Sequence, residues 1–169
     1  MIFQTVHLHD LPEMLDIYAH ARDYQIKVGQ ASYPVFTSDD FEKDILEGAY
    51  YKIVINEKTA AFFYIGFEDE LIWDERENHC SVYLHRIVTH PDFKGKNLMQ
   101  FVSDFAVNFA KKHDRRFVRM DTWNNNEPLK NYYLKFGFQI VGTRKLPEDE
   151  RLHAHYWGET CVYFEMKVI

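Results

Sequence analysis

The spacing of hydrophobic residues in the first part of the chain predicts a short strand and two helices. Residues 2–8 alternate partly between apolar and polar side chains, as a strand does. Asp10 is placed to cap a helix whose apolar residues recur every three or four positions and which Gly29 ends. A second helix is expected over residues 39–48.

The middle of the chain has the pattern of a hairpin followed by a central strand. Residues 51–55 and 60–67 flank the turn 56–59, which predicts an antiparallel hairpin. The acidic residues 68–78 are expected to form a loop. The stretch 80–89 is apolar on both faces, which is typical of a strand covered on both sides.

Strands and helices alternate in the remaining sequence. An amphipathic helix is predicted by the spacing of Leu98, Phe101, Val102, Phe105 and Phe109. Strands are expected at 117–122, 138–142 and 160–169, with a short helix over 129–136. A strand–helix–strand unit predicts a right-handed parallel crossover, whereas the flanking pairs predict antiparallel neighbours. The fold class is therefore α/β, with a single mixed β-sheet and helices on both faces.

Composition narrows the classes of protein further. A chain of 169 residues with 46% hydrophobic residues is expected to form one domain, 1–169, with a substantial core. The net charge of −6 and the lack of a strongly basic segment argue against nucleic acid as a partner. No signal peptide and no membrane span are evident, and Cys80 and Cys161 form no disulfide pattern. A cytoplasmic protein without membrane partners is expected.

The loop between the central strand and the amphipathic helix is a candidate phosphate site. A helix start offers unpaired N–H groups and a positive dipole end, and Lys94, Gly95 and Lys96 precede it. The same residues also suit an ordinary loop with solvated lysines. The spacing alone leaves both interpretations open.

Two segments resemble signatures of the GNAT N-acetyltransferase family. Residues 85–99, His-Arg-Ile-Val-Thr-His-Pro-Asp-Phe-Lys-Gly-Lys-Asn-Leu-Met, resemble its acetyl-CoA motif. Residues 121–138, with Asn126, Tyr133 and Gly137 at the family's spacing, resemble its second motif. The resemblance implies a GNAT-like acyl-CoA N-acyltransferase fold with a splayed sheet. It also implies acetyl-CoA as cosubstrate, no metal, and an amine of a small molecule or peptide as acceptor.

Roles for individual residues follow from this resemblance. Backbone groups of Ile87, Val88 and Thr89 would bind the pantetheine arm, and the Val88 N–H would stabilise the oxyanion. Asn126 would contact the arm, and Tyr133 would protonate the departing thiolate. The pyrophosphate would be held by N–H groups of Lys94, Gly95, Lys96, Asn97, Leu98 and Met99.

The amine must lose a proton, and Asp121 and His85 are the candidate general bases. Each also has a structural interpretation, His85 as a satisfied strand histidine and Asp121 as a cap. Tyr133 likewise suits a helix core. The acceptor pocket has candidate lining residues that equally suit simple packing: Tyr33, Pro34, Trp73, Trp123 and residues 153–157.

Three residues of the first motif depart from the family pattern. Lys94 replaces Gln or Arg, Asn97 replaces Gly, and Met99 replaces Gly or Ala. Asn97 can adopt positive φ, so the turn can form. Met99 can crowd the phosphate site or swing aside. An alternative function is therefore a non-catalytic acyl-CoA-binding or partner-binding module on the same fold.

Paired histidines and sheet edges bear on metals and partners. His7 and His9, and His153 and His155, are spaced as metal pairs, but no cluster of further ligands accompanies them. No metal is therefore expected. The exposed edges of the predicted sheet would allow a homodimer.

Overall fold

The computed structural model describes residues 1–168, and the order of its main elements follows the expectation from sequence. The strands are β1 (Ile2–Thr5), β2 (Tyr50–Ile55), β3 (Lys58–Gly66), β4 (Ser81–Thr89), β5 (Phe117–Trp123), β6 (Gln139–Lys145) and β7 (Thr160–Lys167). The helices are α1 (Leu11–Lys27), α2 (Asp39–Leu46), α3 (Glu70–Trp73), α4 (Leu98–Lys112) and α5 (Glu127–Leu134). The last predicted strand extends to Ile169, which lies outside the described residues.

All seven strands belong to one mixed sheet, as the predicted fold class requires. The strand order is β1-β2-β3-β4-β5-β7-β6. β4 and β5 are parallel, whereas β1 with β2, β2 with β3, β5 with β7, and β6 with β7 are antiparallel. The last strand of the chain therefore lies between β5 and β6, a placement that the sequence pattern did not indicate.

The hairpin between β2 and β3 has a tighter turn than the predicted one over residues 56–59. Asn56 and Glu57 have φ of +50° and +64°, and β3 already begins at Lys58. Two central residues with positive φ are typical of the two-residue turns that match strand twist. The four-residue turn was therefore a wrong prediction, while the hairpin itself is confirmed.

The start of α1 differs from the predicted capping arrangement. Asp10 occupies the N-cap position, but its side chain makes no cap hydrogen bond. The carboxylate instead accepts the His7 N–H at 2.9 Å and pairs with Lys52 Nζ at 2.6 Å. At the other end Gly29, with φ of +68°, ends the helix as predicted.

The chain divides into two compact units, residues 1–65 with 86–98, and residues 66–85 with 99–169. In the first unit α1 and α2 pack on β2 and β3 around Tyr18 and Phe41. In the second unit a separate aromatic core forms around Trp73, Tyr83 and Tyr163, which are all almost fully buried. Each unit therefore has its own hydrophobic core.

The buried face of α4 is shifted from the predicted stripe. Its buried residues include Val102, Ala106 and Ala110, whereas Phe101 is exposed. Small side chains on the buried face let a helix approach the sheet closely, which favours them over phenylalanine there. None of the described helices combines the length and apolar character that crossing a membrane requires.

The acidic stretch 68–78 is more ordered than the predicted loop. It contains α3 and a short 3-10 turn at Asp74–Arg76. Arg144 of β6 pairs with Asp74 at 2.8 Å and donates to the carbonyl of Ile72 at 2.9 Å. The Tyr163 hydroxyl donates to the same carbonyl at 2.5 Å. Long-range contacts of this kind are invisible in a local pattern, which explains why the loop prediction was wrong.

Candidate active site

A backbone distortion in β4 lies at Arg86, which has φ of +50°. Residues with large side chains rarely adopt left-handed backbone, so such a conformation must be held by surrounding contacts. The Arg86 guanidinium donates to the Asp40 carbonyl at 2.8 Å and to the Tyr50 hydroxyl at 3.1 Å. The Tyr18 hydroxyl donates to the Arg86 carbonyl. These contacts, all within the first unit, fix the bend in the strand.

Aromatic rings complete the surroundings of the Arg86 guanidinium. It lies 5.3 Å from the ring centroids of both Phe36 and Phe41, which is cation–π distance. Burial raises the pKa of the Tyr50 phenol, so this partner remains neutral. Arg86 was not among the predicted site residues. The available signal in the sequence is a charge within a strand that is otherwise largely apolar.

The residues expected to bind the pantetheine arm follow directly after the bend. The Tyr33 hydroxyl donates to the Ile87 carbonyl at 2.8 Å, so one lone pair of that oxygen is engaged. Val88 is buried and Thr89 is half-buried. Tyr33, considered above as pocket lining, therefore supports the β4 backbone, and burial raises its pKa to about 12.

The loop before α4 adopts the turn that the motif requires. Gly95 and Asn97 have φ of +79° and +53°, which confirms that asparagine can replace glycine here. The N–H groups of Lys94 and Lys96 are engaged within the loop, with carbonyls of residues 91 and 93 at 3.2 Å. The Lys94 ammonium lies 3.1 Å from the centroid of the Tyr24 ring. Several groups assigned to the pyrophosphate thus have internal partners.

Met99, the second residue of α4, neither projects into solvent nor lies free at the helix end. Its side chain is almost fully buried. Its backbone N–H lies near the phenol of Tyr132, whose pKa burial raises and this N–H lowers. Its carbonyl accepts the Ser103 hydroxyl at 2.8 Å. The sequence motif did not identify Tyr132, because it precedes the motif tyrosine by one position.

The second motif lies on α5 and the residue before it. The Asn126 side-chain oxygen caps the helix by accepting the Leu129 N–H at 3.1 Å, and Asn126 is largely buried. Tyr133 packs edge-on against Phe164, with ring centroids 5.5 Å apart. Asn126 therefore has a structural role in shaping the motif, independent of any contact with a cofactor.

His85 and Asp121 are brought together by the parallel pairing of β4 with β5. The paired register ends at Tyr83 and Arg119, and each candidate base lies two residues farther along its strand. Residues two apart share a face of a strand, so both side chains point the same way. His85 Nδ1 and Asp121 Oδ1 are 3.7 Å apart. The sequence identified both candidates but could not show that they are neighbours.

A third residue, Asp69, completes this cluster and was missed by the sequence analysis. Its Oδ2 atom lies 3.2 Å from His85 Nε2. The side chains of Asp69 and Asp121 are only 10% and 5% exposed, while His85 is 20% exposed. His85 is therefore the most accessible member. A signal was present in the spacing Asp69-x-x-Ile72, typical of an N-cap, within the stretch that was interpreted as a loop.

Burial and the close approach of two carboxylates favour a bound proton in the cluster of Asp69, His85 and Asp121. Burial raises the pKa of Asp121 to about 6; nearby His85 opposes the rise and the Asp69 charge adds to it. Burial raises the pKa of the Cys161 thiol, and the nearby Asp121 charge adds to this rise. Within residues 1–168, Asp69 Oδ2 and Asp121 Oδ1 are buried oxygens without a hydrogen-bond donor. A proton shared with His85 relieves this uncompensated charge.

The same three side chains also lie close enough together to hold a cation. One ligand atom from each of Asp69, His85 and Asp121 lies within 4.8 Å of the others. However, the two ring nitrogens of His85 each lie nearest a different carboxylate, and one imidazole gives a single nitrogen to a metal. This arrangement suits a proton better than a metal ion.

Aromatic side chains lie at the end of β5, near the connection from β6 to β7. The ring centroids of Trp123 and Tyr156 are 5.0 Å apart, and those of Trp123 and His155 are 5.8 Å apart. Trp73, by contrast, is almost fully buried beneath the Arg119 guanidinium, 4.5 Å from its ring centroid. Trp123 and residues 155–156 thus stay candidates for the acceptor pocket, while Trp73 packs in a core.

Comparison with known proteins agrees with this fold. The family described as the Acetyltransferase (GNAT) family matches residues 13–138, most of the chain. The chain therefore belongs to the acetyltransferase (GNAT) family. The motifs at residues 85–99 and 121–138 lie within the matched range, as the resemblance predicted.

Individual relatives show what the chain is similar to. A Bacillus subtilis (strain 168) protein, named as a candidate [ribosomal protein bS18]-alanine N-acetyltransferase, is 28% identical over 123 residues, 72% of this chain and 76% of its own. A GNAT acetyltransferase from Listeria monocytogenes 4b F2365 has a TM-score of 0.75 at 19% identity, covering 98% and 94% of the two chains. The aminoglycoside acetyltransferase AAC(6')-Ib, solved with coenzyme A and kanamycin, has a TM-score of 0.73 at 15% identity, covering 98% and 93%.

Proposed function

We propose that this protein is an acetyl-CoA-dependent N-acetyltransferase that acts on a primary amine of a small molecule or peptide. The observation that carries the proposal is the pairing of His85 with Asp121 beside the end of the paired β4–β5 register. Relatives whose names concern an alanine of a ribosomal protein and the aminoglycoside kanamycin support an amine as acceptor. The acetyl group would move by direct attack in a ternary complex.

In this proposal the buried cluster removes the proton that makes the amine non-nucleophilic. His85 is the most exposed member and accepts the proton, and the neighbouring Asp121 carboxylate stabilises the resulting imidazolium. The amine nitrogen then bonds to the thioester carbonyl carbon, and the C–S bond breaks. The Val88 N–H would stabilise the oxyanion, the Tyr133 hydroxyl would give its proton to the sulfur, and the second proton lost by the attacking nitrogen would restore the Tyr133 hydroxyl.

Features of the chain's own residues support binding of acetyl-CoA. The positive φ of Gly95 and Asn97 forms the turn that leads into the N-terminus of α4, where N–H groups and the helix dipole favour a pyrophosphate. The side chain of Met99 at that terminus is buried. The expected contacts are with backbone groups of residues 87–89 and 94–99 and with Asn126. The family match spans residues of both compact units, which supports residues 1–169 as one functional domain.

One observation favours the alternative function of a non-catalytic acyl-CoA-binding or partner-binding module. The Met99 N–H, which the cofactor motif assigns to the pyrophosphate, lies near the Tyr132 phenol and interacts with it. A site used only for binding, or not used for CoA at all, would tolerate this loss of a donor. The cluster around His85 favours the enzyme, because a module that only binds needs no proton acceptor.

Calorimetric titration with acetyl-CoA, with CoA as comparison, is the first experiment. Micromolar binding is expected, followed by turnover in an assay of amine acceptors. His85→Gln should lower kcat about 100-fold or more while acetyl-CoA still binds, because a general base is lost. The exposed histidine variant His20→Gln is the matched control and should leave turnover unchanged.

The other outcomes separate the two functions. Binding weaker than about 1 mM, roughly −4 kcal/mol, would contradict an acetyl-CoA-dependent enzyme. Micromolar binding with no turnover for any amine in the assay would support the binding module instead. Full turnover by His85→Gln would contradict its role as base while leaving the acetyltransferase activity intact.

A further inference from the structure

We propose that the second unit carries a docking surface for a short acidic peptide segment that also bears an apolar side chain. The surface has two parts, an aromatic ridge and a basic end. The aromatic ridge consists of Phe67, Phe105, Phe109 and His113. The basic end consists of Lys111, Lys112, Arg115 and Arg116. Both parts lie outside the motifs at residues 85–99 and 121–138, so the inference does not depend on the proposed acetyltransferase function.

The aromatic ridge is a connected set of ring contacts between α4 and the residue that follows β3. The centroid of the Phe109 ring lies 6.3 Å from that of Phe105 and 4.2 Å from that of His113. Phe67 lies 5.6 Å from Phe109 and 5.1 Å from His113. Phe67 is 36% exposed, and Phe101, one helical turn before Phe105, is 37% exposed. Several large exposed rings close together are typical of an interaction site rather than of a solvated surface.

The basic end is positively charged in a chain whose net charge is −6. Residues 111–116, Lys-Lys-His-Asp-Arg-Arg, contain four cationic side chains and one carboxylate. The helix dipole favours Lys111 and Lys112 in the last turn of α4, but Arg115 and Arg116 lie beyond the helix. Among the residues that the structure describes, none of these four cations pairs with a carboxylate, whereas three other arginines of the same unit do. The local positive charge is therefore uncompensated and complementary to an acidic partner.

Both arginines of the basic end lie over phenylalanine rings. The guanidinium carbon of Arg115 is 5.1 Å from the centroid of the Phe67 ring, and that of Arg116 is 5.8 Å from the centroid of the Phe117 ring. Arg116 also donates to the Cys80 sulfur at 3.3 Å. Such contacts restrict the rotamers of a side chain before a partner binds, which lowers the entropic cost of binding. Because a guanidinium can donate two parallel N–H groups to a carboxylate, the basic end suits aspartate and glutamate side chains.

The length of α4 indicates the length of the segment that would bind. From Phe101 to Lys112 the helix rises by about 17 Å, at roughly 1.5 Å per residue. An extended peptide covers this distance with about five or six residues, at roughly 3.3 Å per residue. Its carboxylates would contact the basic end, and its apolar side chain would pack on the aromatic ridge.

A peptide fits this surface better than a larger anion does. A polynucleotide or an anionic membrane would extend past the basic end, which spans only residues 111–116. Beyond it, either anion would meet a chain with a net charge of −6 and would be repelled. A short acidic peptide contacts the cations of the basic end and avoids this repulsion. The charge of the chain therefore favours a peptide as the partner.

Fluorescence anisotropy with the full chain tests the docking surface directly. The probes are two dye-labelled heptapeptides, Phe-Leu-Gly-Glu-Asp-Glu-Asp and its reverse sequence, because the direction of the bound segment is open. At least one should bind with a Kd of about 10–100 μM in low salt. The same peptide with glutamine and asparagine in place of the acidic residues should bind at least about tenfold more weakly. Absence of binding of both acidic peptides up to about 1 mM would overturn the proposal.

Two variants with matched controls locate the binding on this surface. Arg115→Glu should weaken binding about tenfold or more, whereas Lys58→Glu makes the same change of charge on an exposed lysine of the first unit and should alter it less than about twofold. Phe67→Ser should weaken binding about fivefold, and Leu46→Ser, at a residue that is 72% exposed, should not. Denaturant unfolding checks that each variant is folded. Equal weakening by Arg115→Glu and Lys58→Glu would overturn the proposal, because net charge alone would then govern binding.

Two further measurements distinguish the peptide from other occupants of the surface. Sedimentation of the unmodified protein should show no dimer that Arg115→Glu abolishes. Such a dimer would overturn the proposal, because a second copy of this chain would then cover the surface. Dye-labelled oligouridylate and phosphatidylserine vesicles should both bind more weakly than the better peptide. Tighter binding of either one, lost in Arg115→Glu, would also overturn the proposal and identify a nucleic acid or a membrane as the partner.

Discussion

The phenol of Tyr132 lies close enough to the backbone N–H of Met99, at the start of α4, for that N–H to oppose the rise that burial causes in the phenol's pKa. The first N–H groups of a helix have no partner within the helix, and they are the donors that a pyrophosphate would use. Tyr132 therefore competes with a cofactor phosphate for one of them. Opening this contact is a step that cofactor binding requires if Met99 takes part as the motif implies.

Removing the Tyr132 hydroxyl should strengthen cofactor binding. Tyr132→Phe frees the Met99 N–H without a large change in volume, and one hydrogen bond of about 1 kcal/mol corresponds to roughly fivefold in affinity. Calorimetry with CoA measures the effect, with Tyr51→Phe on β2 as control. Weaker binding by Tyr132→Phe would instead mean that the phenol itself contacts the cofactor.

Replacing Met99 should cost stability without improving the cofactor site. The side chain is buried, so Met99→Ala leaves a cavity and should lower the free energy of unfolding by about 2–4 kcal/mol. Denaturant unfolding measures this loss, and the exposed Leu46→Ala serves as control. A tenfold gain in CoA affinity for Met99→Ala would contradict this result and show that the thioether crowds the site.

Arg86 should be intolerant even of lysine. A lysine keeps the charge but loses the planar guanidinium that donates to Asp40 and Tyr50 and stacks on aromatic rings. Arg86→Lys is expected to lower the free energy of unfolding by about 2 kcal/mol or more and to lower turnover. The exposed Arg151→Lys is the control. Full stability of Arg86→Lys would mean that the bend in β4 does not depend on the guanidinium contacts.

The fold was largely predictable because its elements depend on local periodicity. The apolar spacing around Leu98 and Val102 predicts α4, and the doubly apolar stretch 80–89 predicts β4, and both are confirmed. The two motifs also indicate the family, because the spacing of their residues reflects the turn and the helix cap that they form. Positive φ at Asn97 is a case in which a motif position and a residue preference agree.

Features that depend on distant contacts were not predictable. Asp69 and His85 lie 16 positions apart in sequence and meet only because α3 starts where it does, inside a stretch that has an acidic and loop-like composition. Arg86 adopts positive φ against its own preference, held by hydrogen bonds to groups of α1, α2 and β2. Tertiary contacts override local propensity at both positions, and both border the candidate site.

The contribution of Asp121 to the free energy of unfolding should decrease as pH rises. Its folded pKa of about 6 lies above the ordinary value of 3.8, so the folded state binds more protons than the unfolded state between these values. Stability from this group is therefore fully present below about pH 4 and is lost as pH rises through 6. At pH 8 the folded state must bury the charged carboxylate.

Asp121→Asn removes this buried charge and should be the more stable protein at pH 8, by an amount on the order of 1–3 kcal/mol, with no such gain at pH 4. Denaturant unfolding at both pH values measures the difference, and Asp104→Asn should show no pH-dependent gain. Turnover of Asp121→Asn should fall, because the imidazolium of His85 loses a partner. A variant that is more stable and less active would show that the carboxylate is kept at a cost to folding, as expected of a catalytic group. Equal stability at both pH values would instead mean that His85 fully neutralises Asp121 in the folded state.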